Sequence, residues 1–248
     1  MRLTGQYSDT RWRSVSNYLA VDDNRTDMTD TTALLIGETT FPFHSIDEKG
    51  PELAAAIGDA ADVTTTTDRD ALCDLSEYDV LIDYLTDSEL TEDQLEGVLS
   101  FVRDGGGYLP LHCGADLIST AAADPDELLD QREEPVPELR AVIGGHFLTH
   151  PEESEFGVDI LEDHPVTDGV EDFQIFDEPY QLDVDDGDDS DLTILARMDH
   201  PDLEDYPIAW TRTEGDGRVC YISLGHTDEA LQNESFRTLL RNAIAWTA

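Results

Sequence analysis

The chain has 248 residues, of which 39% are hydrophobic, and this length fits a single α/β domain with a substantial buried core. It carries 57 acidic against 14 basic residues, a formal net charge of -43, which argues against nucleic acid as a partner because little in the chain could neutralise phosphates. No apolar run approaches the roughly 20 residues that span a bilayer, and the first residues lack a secretory pattern. We therefore expect a cytoplasmic protein without a membrane partner.

The acidic residues are spread through the amphipathic segments of the chain, and Lys49 is its single lysine. An acidic tail would indicate a cation-binding or disordered segment. A uniformly acidic, lysine-poor surface is instead typical of a cytoplasm full of salt, where self-repulsion is screened. We favour the second interpretation, since the composition resembles that of proteins from halophilic archaea.

Residues 1–31 are polar, lack sustained periodicity and hold a concentration of arginine. We interpret them as an irregular arm, followed by one α/β domain over residues 32–248. A start at Met28, directly before the first strand, is the alternative.

Strands and helices alternate over residues 33–112. The sequence predicts strands at 33–37, 63–67, 78–83 and 108–111, and helices at 51–57 and 91–102. Thr91 and Gln94 form a capping box that begins the second helix. This rhythm predicts a doubly wound, mainly parallel sheet with helices on both faces.

The pattern changes after residue 150. Segments 155–161, 192–197, 208–213 and 218–223 are strand-like without long helices between them, which indicates additional or antiparallel strands. An acidic loop covers 183–191, and a final helix carries one apolar face. Cys73 and Cys220 lie in apolar stretches and are expected to be buried thiols.

Several polar residues follow predicted strands, and parallel sheets bind ligands at the carboxyl ends of their strands. His112 ends the strand at 108–111, and His44 lies beyond the first strand. The other candidates are His146, His150, Glu178, Tyr180 and His226. His164 and His200 each precede proline and are interpreted as turn residues.

These segments together resemble the ThuA-like (trehalose-utilisation-like) family. The matching pieces are, in order, residues 105–112, 144–150, 164–169, 177–180, 217–226 and the helix that ends near Trp246. The resemblance covers about residues 33–248 and implies a fold related to class I glutamine amidotransferases. It also implies a role in carbohydrate use, including trehalose and oxidised sugars, with a small carbohydrate as the ligand and homo-oligomerisation left open.

In class I glutamine amidotransferases a nucleophilic cysteine occupies the turn after a strand. Here His112 stands at that position and Cys113 follows it, so amidotransfer through Cys113 is not favoured. We assign His112, Glu178 and Tyr180 as candidate catalytic residues. The candidate substrate-binding residues are His44, His146, His150 and His226.

A metal such as zinc is a further hypothesis, since imidazoles and a carboxylate form a suitable ligand set. His112, His150 and His226 are the predicted metal ligands, with Glu178 moving a proton during isomerisation, elimination or hydrolysis of a keto-sugar. A hydrogen-bonded polar pocket without metal is the alternative.

A non-catalytic carbohydrate-binding or regulatory module is the second candidate function, and a hydrolase that depends on Cys113 is the third.

Overall fold

The computed structural model describes residues 31–117, 136–187 and 190–248, so residues 1–30 of the predicted N-terminal arm lie outside the described residues. Its strands are β1 (Thr32–Gly37), β2 (Asp62–Thr66), β3 (Val80–Tyr84), β4 (Gly107–Pro110), β5 (Gly145–Thr149), β6 (Ser154–Ile160), β7 (Phe173–Asp177), β8 (Gln181–Val184), β9 (Thr193–Asp199), β10 (Pro207–Glu214) and β11 (Gly217–Ile222). Its helices are α1 (Ile46–Ile57), α2 (Glu92–Arg103), α3 (Pro137–Ile143), α4 (Asp228–Gln232) and α5 (Glu234–Thr247).

Within the described ranges, nine strands form one sheet in the order β2-β1-β3-β4-β11-β10-β9-β6-β7. The first five of these strands are parallel to one another, and the last four extend the sheet by antiparallel pairing. The predicted α/β class is confirmed, as are the extra strands in the C-terminal half. Because β1, β3, β4 and β11 are parallel, their carboxyl ends meet at one edge of the sheet.

Helices cover both faces of the parallel strands, because successive residues of a buried strand point to opposite sides. Leu35 of β1 belongs to the core that includes Leu53 of α1 and Leu239 of α5. Its neighbour Leu34 belongs to the opposite core, with Val98 of α2. The two faces are thus buried by different helices, as the near-continuous apolar strands predict.

The two best-marked helices of the sequence agree with the structure. The capping box is present, since the Thr91 hydroxyl accepts from the Gln94 N–H and the Gln94 side chain accepts from the Thr91 N–H. The apolar face predicted for the last helix is buried in α5: Phe236, Leu239, Leu240, Ala243 and Ile244. No helix in the described part of the chain is long and apolar enough to cross a membrane.

Three local predictions were wrong or incomplete. The first helix begins at Ile46 and contains Pro51 in its interior, where we had expected proline in the first turn. The short strands β5, β7 and β8 were missed, because five or four residues give little periodicity. Cys73 is exposed, since it ends a 3-10 turn at the surface, whereas Cys220 is buried as expected.

Candidate functional site

The candidate site begins at the sharp turn after β4. His112 has φ 48°, in the left-handed region that residues other than glycine adopt at a cost of about 1 kcal/mol or more. The turn also needs Gly114, because a Cβ there would collide with the carbonyl oxygen of Asp83. The strained turn holds the imidazole of His112, completely buried, at the carboxyl end of the parallel strands.

Three other side chains converge on His112 from separate segments. His44 lies in a 3-10 turn after β1, Glu178 directly follows β7, and His226 lies in the loop after β11. Each of the four offers one ligand atom, and these atoms all lie within 4.8 Å of one another. We call these four buried residues, His44, His112, Glu178 and His226, the histidine–glutamate cluster.

Three of the distances between ligand atoms in the cluster are close to the edge of a coordination tetrahedron, and all are within 4.8 Å. Nε2 of His112 lies 3.1 Å from Nε2 of His44 and 3.3 Å from Oε2 of Glu178. Nδ1 of His226 lies 3.4 Å from the same Glu178 oxygen. Metal–nitrogen bonds of about 2.0–2.1 Å in tetrahedral geometry separate neighbouring ligand atoms by about 3.3 Å. Nδ1 of His226 is also buried without a hydrogen bond, which is costly unless another group satisfies it.

The outward ring nitrogens of two histidines have partners that orient the rings. Nδ1 of His112 donates to the carbonyl oxygen of Ser223 at 2.8 Å, and a carbonyl can only accept. In the neutral ring, Nε2 of His112 therefore presents its lone pair to the cluster. Nδ1 of His44 lies 2.7 Å from the hydroxyl of Thr86, which can accept its proton in the same way. Such outer partners are typical of metal-binding histidines.

The third histidine has the opposite orientation. His226 turns Nδ1 inward and Nε2 outward, and the outward nitrogen lies 3.4 Å from Oε1 of Glu153. Every histidine of the cluster thus has one nitrogen directed at the shared centre and one directed at an acceptor outside it.

The electrostatics favour a single positive charge in the cluster. Burial lowers the pKa of His44 well below its usual range, and burial together with nearby His112 lowers the pKa of His226 to about 4. Burial also disfavours the protonated form of His112. The adjacent carboxylate of Glu178 favours that form more strongly, so the pKa of His112 is raised overall. In turn, burial disfavours the ionised Glu178, yet His112 lowers its pKa overall. These shifts indicate that a proton on His112 balances the ionised carboxylate of Glu178 in the metal-free cluster.

Asp177 holds the loop that carries His226. Its buried carboxylate accepts backbone N–H groups from Gly225 at 2.7 Å, His226 at 3.1 Å and Thr227 at 3.0 Å. Burial raises the pKa of Asp177, although His112 and these N–H groups oppose the rise. Asp177 precedes Glu178, so one short segment supplies both a cluster residue and the anchor of another.

Two more predicted residues contact the cluster. The hydroxyl of Tyr180 lies 3.1 Å from Nε2 of His112, and burial raises its pKa well above 10, so it stays a phenol. Nε2 of His150 lies 3.6 Å from Oε1 of Glu178, while its Nδ1 donates to the Pro151 carbonyl at 2.7 Å. His150, a predicted metal ligand, therefore borders the second oxygen of Glu178, outside the four-atom group, whereas His44 lies inside it.

His146 has different neighbours. It lies on β5, which pairs with β8 in a small, separate antiparallel sheet. There its Nδ1 accepts from Nε of Arg140 at 3.1 Å and lies 3.7 Å from Asp183. The predicted site residues thus divide into a central group and one residue on the small sheet.

Other side chains with functional chemistry have core or turn positions. Cys113 is fully buried, and burial raises its pKa well above the usual range, which disfavours a thiolate. Trp210 and Tyr221 are completely buried, and the Tyr221 hydroxyl donates to the carbonyl of His112 at 3.0 Å. His164 accepts a backbone N–H at the start of a 3-10 turn, as a turn residue would.

Sequence reasoning missed the residues that orient the cluster. Thr86 and Glu153 lie in loops whose sequence carries no motif for these contacts. Asp177 offered one signal, since it precedes a candidate carboxylate at a strand end, but its role depends on a loop about fifty residues further along the chain.

Residues 32–247 match the model of the ThuA family, described as trehalose utilisation. No match was found among curated proteins.

Solved structures with similar folds cover most of the chain. A ThuA-like protein from Bacteroides uniformis is 22% identical, covers 91% of this chain and 94% of its own, and has a TM-score of 0.71. A ThuA-like protein from Parabacteroides merdae is 16% identical, with coverage of 88% and 90% and a TM-score of 0.67. A cytoplasmic protein of Salmonella typhimurium is 15% identical, with coverage of 88% and 99% and a TM-score of 0.60. At these identities the likeness concerns the fold.

Proposed function

We propose that this chain, which belongs to the ThuA (trehalose utilisation) family, uses the histidine–glutamate cluster to bind a divalent transition metal and to convert a sugar or keto-sugar. The observation that carries the proposal is the convergence of one buried carboxylate oxygen and three imidazole nitrogens within 4.8 Å of one another, with Nδ1 of His226 buried without a hydrogen bond.

The donor set fits such an ion. Three imidazoles and one carboxylate suit zinc or another first-row divalent metal. The outer acceptors on the histidines support this choice, because metal-binding histidines typically direct their second ring nitrogen at an acceptor outside the site. A metal bound there supplies a Lewis acid that polarises a carbonyl oxygen of the ligand.

The surrounding residues have roles that follow from their positions. Oε1 of Glu178 faces His150, whose side chain is 29% exposed, so a proton can pass between the buried carboxylate and the outside through these two groups. Tyr180 remains a phenol and can donate a hydrogen bond to a sugar oxygen. Proton transfer next to a polarised carbonyl suits isomerisation, elimination or hydrolysis of a keto-sugar.

The assembled cluster favours an enzyme over a non-catalytic carbohydrate-binding module, which would tolerate dispersal of these residues. A hydrolase that depends on Cys113 is less well supported, because burial keeps this thiol protonated. We place the activity in the cytoplasm of a salt-adapted cell, on the basis of the acidic, lysine-poor composition.

The test is metal analysis of protein purified without an affinity tag in molar salt. We expect about one equivalent of a transition metal per chain in the unaltered protein and in His164→Ala, a control histidine at a turn outside the cluster. His112→Ala and Glu178→Gln should contain none, and circular dichroism shows whether each variant is folded. Glu178→Gln keeps the shape of the buried side chain in case His112→Ala fails to fold.

Absence of metal from the unaltered protein, even after incubation with zinc, cobalt and manganese, would refute the metal assignment. Where metal is bound, NMR of keto-sugars incubated with the protein distinguishes the remaining possibilities. Conversion that is absent from Glu178→Gln supports an enzyme, whereas line broadening without conversion supports the binding module.

A further inference from the structure

The loop between β5 and β6 reaches the histidine–glutamate cluster from outside. It carries Glu153, whose Oε1 lies 3.4 Å from Nε2 of His226. The side chain of Glu153 is 46% exposed, while that of His226 is 10% exposed. Glu153 therefore lies between the buried ring and the surface, on the side of the ring opposite the cluster.

The contact favours a proton on the outward nitrogen of His226. A neutral imidazole has one N–H and one lone pair, and a carboxylate can only accept. A proton on Nε2 that faces Glu153 leaves the lone pair on Nδ1, the atom that lies 3.4 Å from Oε2 of Glu178 without a hydrogen bond. The separation of 3.4 Å is longer than an ordinary N–H···O hydrogen bond of about 2.9–3.0 Å, so the two groups interact chiefly through charge.

Glu153 is the one charged acceptor among the three that contact the cluster histidines. His112 faces the carbonyl of Ser223 and His44 faces the hydroxyl of Thr86, both uncharged. A carboxylate that accepts the outer N–H makes an imidazole a stronger ligand, and removing such a partner commonly weakens metal binding by about 10- to 100-fold.

We infer that Glu153 is a positioning residue, which holds His226 with Nδ1 toward the cluster and strengthens its bond to a divalent metal. This inference rests on the proposed metal site. It assigns a role in metal affinity to an exposed loop residue that contacts none of the other cluster residues in the described structure.

The test measures the dissociation constants of cobalt(II) and zinc(II) by chelator competition in molar salt. Glu153→Ala should bind both metals about 10- to 100-fold more weakly than the unaltered protein. Glu153→Gln, which keeps an acceptor oxygen but loses the charge, should lie between the two. Glu152→Ala is the matched control, because it removes the same charge from an exposed position of the same loop.

The visible absorption of the cobalt-loaded protein provides a second readout. Loss of a negative charge elsewhere on the surface would not change this absorption. We expect the ligand-field bands of Glu153→Ala to change in position or intensity, and those of Glu152→Ala to match the unaltered protein. Equal affinities and spectra for the two alanine variants would overturn the role of Glu153 and leave the metal site intact. An unaltered protein that binds neither metal would overturn the metal site itself, and this inference with it.

Discussion

Asp177 accepts a hydrogen bond of 3.1 Å from the backbone N–H of His226 and thereby joins two segments that the sheet keeps apart. Asp177 ends β7 at the edge of the sheet, and His226 follows β11 near its centre. The bond brings Glu178, the next residue, to the loop that carries His226, and so joins two of the four residues of the histidine–glutamate cluster.

Asp177→Asn should both destabilise the protein and weaken its metal binding. An amide has one acceptor oxygen, so one of the three N–H groups would face an NH2 group, at a cost of about 1–3 kcal/mol. Urea unfolding and chelator competition measure the two effects. Asp172→Asn is the control, because Asp172 accepts one backbone N–H, from Ile160, at an exposed position. Equal effects of the two substitutions would contradict the anchoring role.

The free energy of unfolding of the metal-free protein should fall as the pH is lowered from about 6.5 to about 4. His226 has a folded pKa of about 4, below its unfolded value of 6.5, so in this window the unfolded state binds a proton that the folded state does not. The loss from His226 reaches about 3 kcal/mol. His44 acts in the same direction, while the raised pKa of His112 opposes it.

Urea unfolding at pH 7 and pH 4.5, in molar salt with a chelator, measures this effect. His226→Gln removes the titrating ring, so its pH dependence should be weaker than that of the unaltered protein. The many surface carboxylates titrate in both proteins and cancel in the comparison. The same slope in both proteins would show that His226 is not held neutral by the fold.

Native protein should expose one accessible thiol per chain. Cys73 is exposed, whereas Cys113 and Cys220 are buried and burial raises the pKa of both. A chromogenic disulfide reagent should therefore label Cys73 alone until urea unfolds the chain, and Cys73→Ser should abolish native labelling. Cys113→Ser should keep its metal content and any sugar conversion. Loss of conversion with metal retained would instead favour a nucleophilic cysteine.

Low ionic strength should reduce the stability of the protein. The formal net charge of -43 implies strong self-repulsion, and the screening length falls from about 10 Å to about 3 Å between 0.1 and 1 M salt. We expect the midpoint of urea unfolding to rise most steeply over this range of potassium chloride. Sucrose is the control, since it stabilises compact states without screening charge. A midpoint independent of salt would contradict the interpretation as a salt-adapted protein.

The sequence by itself determined the α/β class, the parallel core and the position of His112 at a strand end. These three features depend on local patterns of residue types. Apolar runs, the capping box at Thr91 and the turn after β4 each involve only a few neighbouring residues. The ordered motifs from His112 to His226 indicated the family for the same reason. The short strands β7 and β8 could not be predicted from local patterns, because they have too few residues to show a hydrophobic period.

The tertiary structure alone decided which atoms meet. His44 belongs to the cluster and His150 borders it, although both lie near strand ends in the sequence, because strand order and loop path set their distances to Glu178. The inward nitrogen of each histidine depends on acceptors far away in the chain, such as Ser223 for His112 and Glu153 for His226. Such contacts join residues about 70 to 110 positions apart, and no local pattern of residue types encodes them.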